Sequence, residues 1–329
     1  MDIVILLILI ILIIFDSALQ EEWGTKESTN LLMGISAFIV LFHHISQRLS
    51  GFFFQHTGYL AVTLFFFLSG YGIYYSYMTH ENYEKQIIVR KIPRILRYCL
   101  FTLCLMTFYF LIVEPPVKFS EIVSVYRGNR LLNWYFISML IKYVFFVVSC
   151  TLTKGNVKKM LCINFLLISI YMAVVFLADF GAHWYISSYG FILGGIFAVY
   201  RETLQKFENS KCCLCLVCIL FWGLFYLLKF SKWNAEKVGF IALLWLFLYI
   251  LSGVSFCMML FMMLGKRKSR FLFGFMGKNS AQMILLQEIA LTIGRNRFFY
   301  IENDVLWTLS VVFVLLVLVT TRGKLYKRL

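Results

Sequence analysis

The feature that most constrains this chain is a succession of apolar runs, most of them close in length to one crossing of a lipid bilayer. Candidate helices are read at residues 3–19, 31–49, 58–77, 95–113, 133–150, 159–178, 184–200, 212–230, 238–264, 280–294 and 304–321. An α-helix rises about 1.5 Å per residue, so about 20 apolar residues cross roughly 30 Å of hydrocarbon. Lipid offers no partner to an unpaired backbone amide, so only helices or closed barrels span it, and these runs lack the strict alternation of barrel strands. The expected fold is therefore all-α, a polytopic transmembrane helix bundle of about ten core helices plus one extra N-terminal helix. Composition agrees: 61% of the 329 residues are hydrophobic and 14% charged, outside the range in which a water-soluble core is built. The first run, Ile3 to Phe15, is short, but Asp2 supplies no positive leader and no small-residue cleavage pattern follows. It is read as a retained anchor rather than a cleaved signal peptide. Residues 1–27 are then an anchor helix with a short cytoplasmic linker, and residues 28–329 a transmembrane domain.

The net charge of +15 invites a nucleic-acid reading, but the basic residues fall in short loops between apolar runs rather than along one soluble face. No nucleic-acid partner is expected. Alternate loops differ in charge: twenty Lys and Arg lie in one set, including Arg90, Arg94, Arg97, Lys266 and Arg267, against nine in the other. Cytoplasmic loops carry the excess, which places the C-terminus inside, the N-terminus outside, and the protein as a multi-pass chain in the cell membrane. The stretches at 16–30, 78–94 and 114–132 are too short to bury a soluble core. Cys212, Cys213, Cys215 and Cys218 have no paired spacing typical of a zinc site and open an apolar helix, so no metal is expected.

Ionisable groups inside membrane helices are costly and are functional candidates by default. His43 and His44 sit together near the end of the second helix. They suit general-base work, and equally the ordinary hydrogen bonding of an interfacial imidazole; adjacent helical positions differ by about 100°, so either one suits a cavity. Lys142, in the fifth helix, is a further intramembrane charge, with pairing or snorkelling as its plain role. In the third helix, FFFLSG places Ser69 and Gly70 where another helix or a substrate approaches closely. The following VRKIPRILRY brings Arg90, Arg94 and Arg97 to the membrane surface, where they suit a phosphorylated ligand or anionic lipid headgroups.

In this order, these segments resemble the start of the acyltransferase type 3 family of membrane acyltransferases. The similarity continues through NWYFISMLIKYVFF at 133–146, HWYISSYGFILGGIFAVYRE at 183–202 and MGKNSAQMILLQEI at 276–289. It covers roughly residues 28–329 and makes that part an acyltransferase-like domain. The resemblance implies transfer of an acyl group, most often acetyl, from cytoplasmic acyl-CoA to a hydroxyl of a surface polysaccharide or another extracytoplasmic glycan. It also implies His44 as the catalytic histidine, with His43 as its immediate alternative, and Arg90, Arg94 and Arg97 as the donor-binding cluster. Ser69, Gly70 and Trp134 are expected along the acyl route or as packing positions. The partners are then acyl-CoA, a surface glycan or lipid-linked saccharide as acceptor, and membrane lipid, with no bound cofactor. Two positions depart from the family pattern: Met33 stands where an Arg precedes the histidine by three helical turns, and Gln287 where the late helix carries a His. Two other readings stay open, a transporter or flippase of lipid-linked saccharides and a non-catalytic member of a polymer-assembly complex.

Overall fold

Each of the eleven apolar runs carries a helix. The computed structural model describes residues 2–49, 54–113, 134–208, 210–230, 240–296 and 298–326. The long helices are α1 (Asp2–Asp16), α2 (Lys26–Arg48), α3 (Gly58–Thr79), α5 (Ile92–Val113), α6 (Trp134–Thr153) and α7 (Val157–Leu177). Shorter α8 (Tyr189–Val199) and α9 (Arg201–Glu208) lead into α10 (Lys211–Phe230) and α11 (Phe240–Leu264), and the chain closes with α12 (Leu272–Lys278), α13 (Ser280–Ile293) and α14 (Asp304–Tyr326). A one-turn α4 (Tyr83–Gln86) and a π-helical turn (Ile87–Lys91) run directly into α5. The expected loop at 114–132, with Lys118, Arg127 and Arg130, and Lys232, Lys237 and Arg297 lie outside the described residues.

Six helices among the described residues are long and apolar enough to cross a membrane: α2, α3, α6, α7, and the segments Ala242–Leu264 of α11 and Asp304–Thr321 of α14. Parts of α1 and α10, and all of α13, are apolar but shorter. The bundle's exterior carries Ile11, Ile14, Leu166, Leu220 and Phe313 in exposed positions. In water a surface of this kind is a liability; against lipid it is the solvated face.

The centre of the bundle is built on α3. Phe66, Phe67 and Tyr74 are buried there, together with Phe146, Phe191 and Phe261 from α6, α8 and α11. Here α3 and α8 touch backbone to backbone: a Cβ on Gly70 would lie 2.0 Å from the Phe191 carbonyl oxygen, and one on Gly194 would lie 1.9 Å from that of Phe67. Small residues permit such close approach between membrane helices, where dispersion and packing replace the hydrophobic effect as the force holding helices together.

The first helix ends earlier than the expected 3–19. Its apolar run closes at Phe15, the helix stops at Asp16, and Ser17–Leu19 forms β1, paired antiparallel with β2 (Arg267–Ser269). The Asp16 carboxylate explains the stop. It accepts hydrogen bonds from the backbone N–H groups of Phe271, Leu272 and Phe273 at 2.8, 2.9 and 2.9 Å. These are donors at the start of α12 that its own turns leave unsatisfied, so Asp16 caps a helix more than 250 residues away in sequence. The seventh expected helix, 184–200, is also shorter than read. Its first part is a 3₁₀ turn (Ala182–Trp184), and the α-helix begins at Tyr189, because the buried Ser187 hydroxyl donates to the Tyr59 carbonyl at 3.0 Å and ties this stretch to α3.

Candidate functional site

The second helix delivers its two histidines to a cavity. Thr25 caps α2 by accepting from the Ser28 N–H at 3.2 Å, and an apolar run carries the helix to His43 and His44 in its last turns. Beyond α2 the 3₁₀ turn Phe54–His56 leads the chain into α3. Between these ends, a cavity of about 630 Å³ is lined by His43, His44, His56 and His183. Four of the chain's five histidines therefore share one space. The fifth, His80, caps the opposite end of α3.

Both ring orientations on α2 are held from one side. The Nδ1 of His43 lies 3.0 Å from the Phe54 carbonyl oxygen. That oxygen only accepts, so Nδ1 carries the proton and a neutral His43 presents an unprotonated Nε2, which rests against Gly58 at the start of α3. The Nδ1 of His44 lies 3.2 Å from Gln47 Oε1, which likewise leaves the lone pair of a neutral His44 on Nε2. The two rings stand 5.1 Å apart, tilted by 58°. Both His43 and His44 line the cavity. One turn after His44, Arg48 pairs with Glu288 at 2.7 Å and donates to the Leu291 carbonyl at 3.1 Å, fixing the end of α2 to α13.

Aromatic side chains make the remaining walls. Trp134, at the first turn of α6, meets His183 edge to face at 5.1 Å. Tyr59, Tyr185, Trp245 and Tyr249 line the cavity as well; the Tyr59 hydroxyl bonds to Ser252 Oγ at 2.9 Å and its ring meets Tyr249 at 5.0 Å. The Trp245 Nε1 is buried with no hydrogen-bond partner among the described residues. His183 lies in the turn between α7 and α8, where burial pulls its imidazole below the ordinary 6.5. Burial, and next the Asp179 carboxylate, push the Tyr185 phenol up.

His183, His56 and the tyrosines are absent from the sequence-based candidates. Their one visible signal is His183 directly before Trp184 in the segment quoted for its Trp-containing helix; nothing in spacing links residues 43, 56 and 183, which only the fold gathers. The other expected positions lie elsewhere. Arg90, on the π-helical turn, and Arg94 and Arg97, on α5, are exposed and follow one another at four and three residues, a single helical stripe. They stand beyond the far end of α3, whose 22 residues hold its termini about 32 Å apart. The same far end carries the β1–β2 pair and Arg201, which donates to the Tyr75 hydroxyl at 3.0 Å and to the Trp23 carbonyl.

Ser69 and Gly70 lie between the two ends and line no part of the cavity. Ser69 Oγ bonds to the Tyr143 hydroxyl at 3.0 Å, and Gly70 is the α3–α8 contact already described. Lys142 is fully buried on α6. Its Nζ donates to Ser138 Oγ at 2.6 Å and lies 4.0 and 5.1 Å from the ring centres of Phe66 and Tyr171, so a hydroxyl and two ring faces serve it as partners. Met33 is partly buried about 16 Å down α2 from His44. Gln287 is buried in α13 beside the Glu288 that holds Arg48.

The geometry is thus a histidine-lined, aromatic-walled cavity at one end of an apolar bundle and an exposed arginine stripe at the other. Comparison with known proteins bears on what such a bundle is. No curated protein and no solved structure matches the chain. The family model for the acyltransferase domain matches residues 27–321, nearly the whole length. This protein belongs to the acyltransferase type 3 family of membrane acyltransferases.

Proposed function

We propose that this protein is a multi-pass cell-membrane O-acyltransferase that moves an acetyl group from cytoplasmic acetyl-CoA to a hydroxyl of a surface polysaccharide or another extracytoplasmic glycan. The observation that carries this reading is the gathering of His43, His44, His56 and His183 in one cavity, at the end of the bundle away from the arginine stripe. The excess of basic loops makes the arginine end cytoplasmic and opens the histidine cavity outward. The aromatic walls of the cavity suit a hydroxylated ring, which stacks on them by its apolar faces.

In this mechanism the Nε2 lone pair of His44 accepts the acceptor hydroxyl proton while the oxygen attacks the thioester carbonyl. The tetrahedral intermediate collapses by breaking the C–S bond, and the departing thiolate takes the proton back from the imidazolium. Gln47 holds the tautomer through Nδ1. Arg90, Arg94 and Arg97 bind the phosphates of the donor, a role that guanidinium groups fill by paired, charge-assisted hydrogen bonds. The flexible arm of the donor extends from the arginine end toward the histidine cavity, through the bundle that Ser69 and Gly70 help close, so the acyl group stays bonded to sulfur until the acceptor oxygen attacks it.

The test is mass spectrometry of purified surface glycan from a strain lacking the gene, complemented with wild type or with His44→Ala. Deletion removes the acetyl ester, wild type restores it, and His44→Ala restores less than about one part in a hundred, the lower range for loss of a general base. Full acetylation by His44→Ala overturns the role of His44; unchanged acetylation in the deletion overturns the reaction and favours a flippase or a scaffold.

A further inference from the structure

A second hollow lies outside the site just described, an apolar groove of about 500 Å³ between α1, α2, α10 and α11. Its walls include Leu6, Ile13, Ile39, Phe221, Trp222 and Met259, and the lining side chains other than hydrocarbon, thioether and aromatic ones are those of Ser17, Thr57, Cys218 and Arg267. No carboxylate lines it. Ile10, Ile14 and Met263 at its lip are exposed, so the groove opens sideways, toward the face that meets lipid.

The two ends of the groove differ chemically. At one end, Arg267 Nη1 donates to Ser17 Oγ at 3.0 Å, and Lys266, Arg267, Lys268 and Arg270 bring four cations into five residues. From Ser17 the groove follows α1 to Leu6, about 16 Å of helix. At the other end stand Phe54, Thr57 and Phe225, and Phe225 also lines the histidine cavity. A single narrow hydrocarbon tract ending in a cluster of cations is complementary to an amphiphile with one buried chain and an anionic head.

We infer that this groove binds an anionic phospholipid of the surrounding membrane, one acyl chain lying between α1, α10 and α11 and the phosphate resting on the basic β2 segment. A long-chain acyl-CoA also joins a chain to phosphates, but with its phosphates on Arg267 the pantetheine arm, not hydrocarbon, would fill the groove. The two amides and the hydroxyl of that arm would lie against walls whose polar side chains are those of Ser17, Thr57, Cys218 and Arg267, and burying them without partners is costly. A phospholipid places hydrocarbon directly beyond its ester-linked head and meets no such conflict.

The experiment is native mass spectrometry of the full-length protein, purified in detergent and equilibrated with equal amounts of phosphatidylglycerol and phosphatidylcholine. Wild type is expected to retain one phosphatidylglycerol preferentially, as is Leu309→Trp, a substitution at an exposed position of α14 away from the groove. Met259→Trp fills the groove and loses the bound lipid. Arg267→Gln leaves the apolar walls intact and lowers the preference for phosphatidylglycerol roughly fivefold, the contribution of about one surface cation. Equal retention of both lipids by wild type, an unchanged preference in Arg267→Gln, or displacement of phosphatidylglycerol by an equal concentration of palmitoyl-CoA overturns the assignment.

Discussion

His183 shows how a single imbalance at one residue becomes a property of the whole chain. In the unfolded chain its imidazole takes up a proton near 6.5; in the folded protein, burial between α7 and α8 beside Trp134 holds that uptake to lower pH. Between the two values the unfolded state binds more protons, so stability rises with pH across that window and falls as the solution is acidified through it. Thermal unfolding in detergent is expected to show a midpoint that drops from pH 7 toward pH 5, and His183→Asn is expected to flatten that drop while keeping a planar, polar, non-titrating group beside Trp134. Identical slopes for the two proteins would assign the acid sensitivity to other groups. The residue also marks where reading from sequence stops. Its type and its neighbour Trp184 are visible, but its place in the cavity that His43 also lines depends on a turn tied down by the Ser187–Tyr59 hydrogen bond, a contact across 128 residues that no local pattern encodes.

At the scale of elements, hydropathy locates the helices because lipid imposes one length and one solution to backbone hydrogen bonding. It fails at their ends. Ala18 and Leu19 extend the expected helix past Asp16 and Ser17, yet α1 stops at Asp16, whose carboxylate is engaged by the N–H groups of α12. Residues 184–188 look helical, yet they are drawn into a turn. Contacts between helices are equally hidden: FFFLSG reads alike whether Gly70 faces a substrate or a neighbour, and the neighbour is the Phe191 carbonyl. This makes a paired prediction on one helix. Gly70→Ala forces α3 from α8 and is expected to cost about 1–3 kcal/mol, the usual penalty of overpacking. Gly72→Ala, two residues on, meets nothing within 4 Å and is expected to be neutral or stabilising by up to about 1 kcal/mol through helix propensity. Comparing the two unfolding midpoints in one detergent checks the contact independently of catalysis, and a Gly70→Ala midpoint equal to that of Gly72→Ala overturns it.

For the molecule as a whole, the consequential property is polarity between its ends. The histidine cavity and the basic segments are separated by the length of α3, and an acyl group that starts at one and finishes at the other crosses the hydrophobic thickness of the bundle. The proposed orientation rests on a charge asymmetry that acts during insertion, and it is open to direct measurement without any assay of acyl transfer. Gln55, exposed on the cavity rim, and Lys268, exposed on β2, are suitable reporters. Nine native cysteines set a background, so the readout is the increase over wild type when a membrane-impermeant maleimide is applied to intact cells or to inverted vesicles. Gln55→Cys is expected to add label only on intact cells and Lys268→Cys only on inverted vesicles. Labelling of both from one side removes the separation of donor and acceptor faces on which the transfer pathway depends; labelling of each from the reversed side keeps the separation but turns the cavity toward the cytoplasm, where a surface glycan is not available to it.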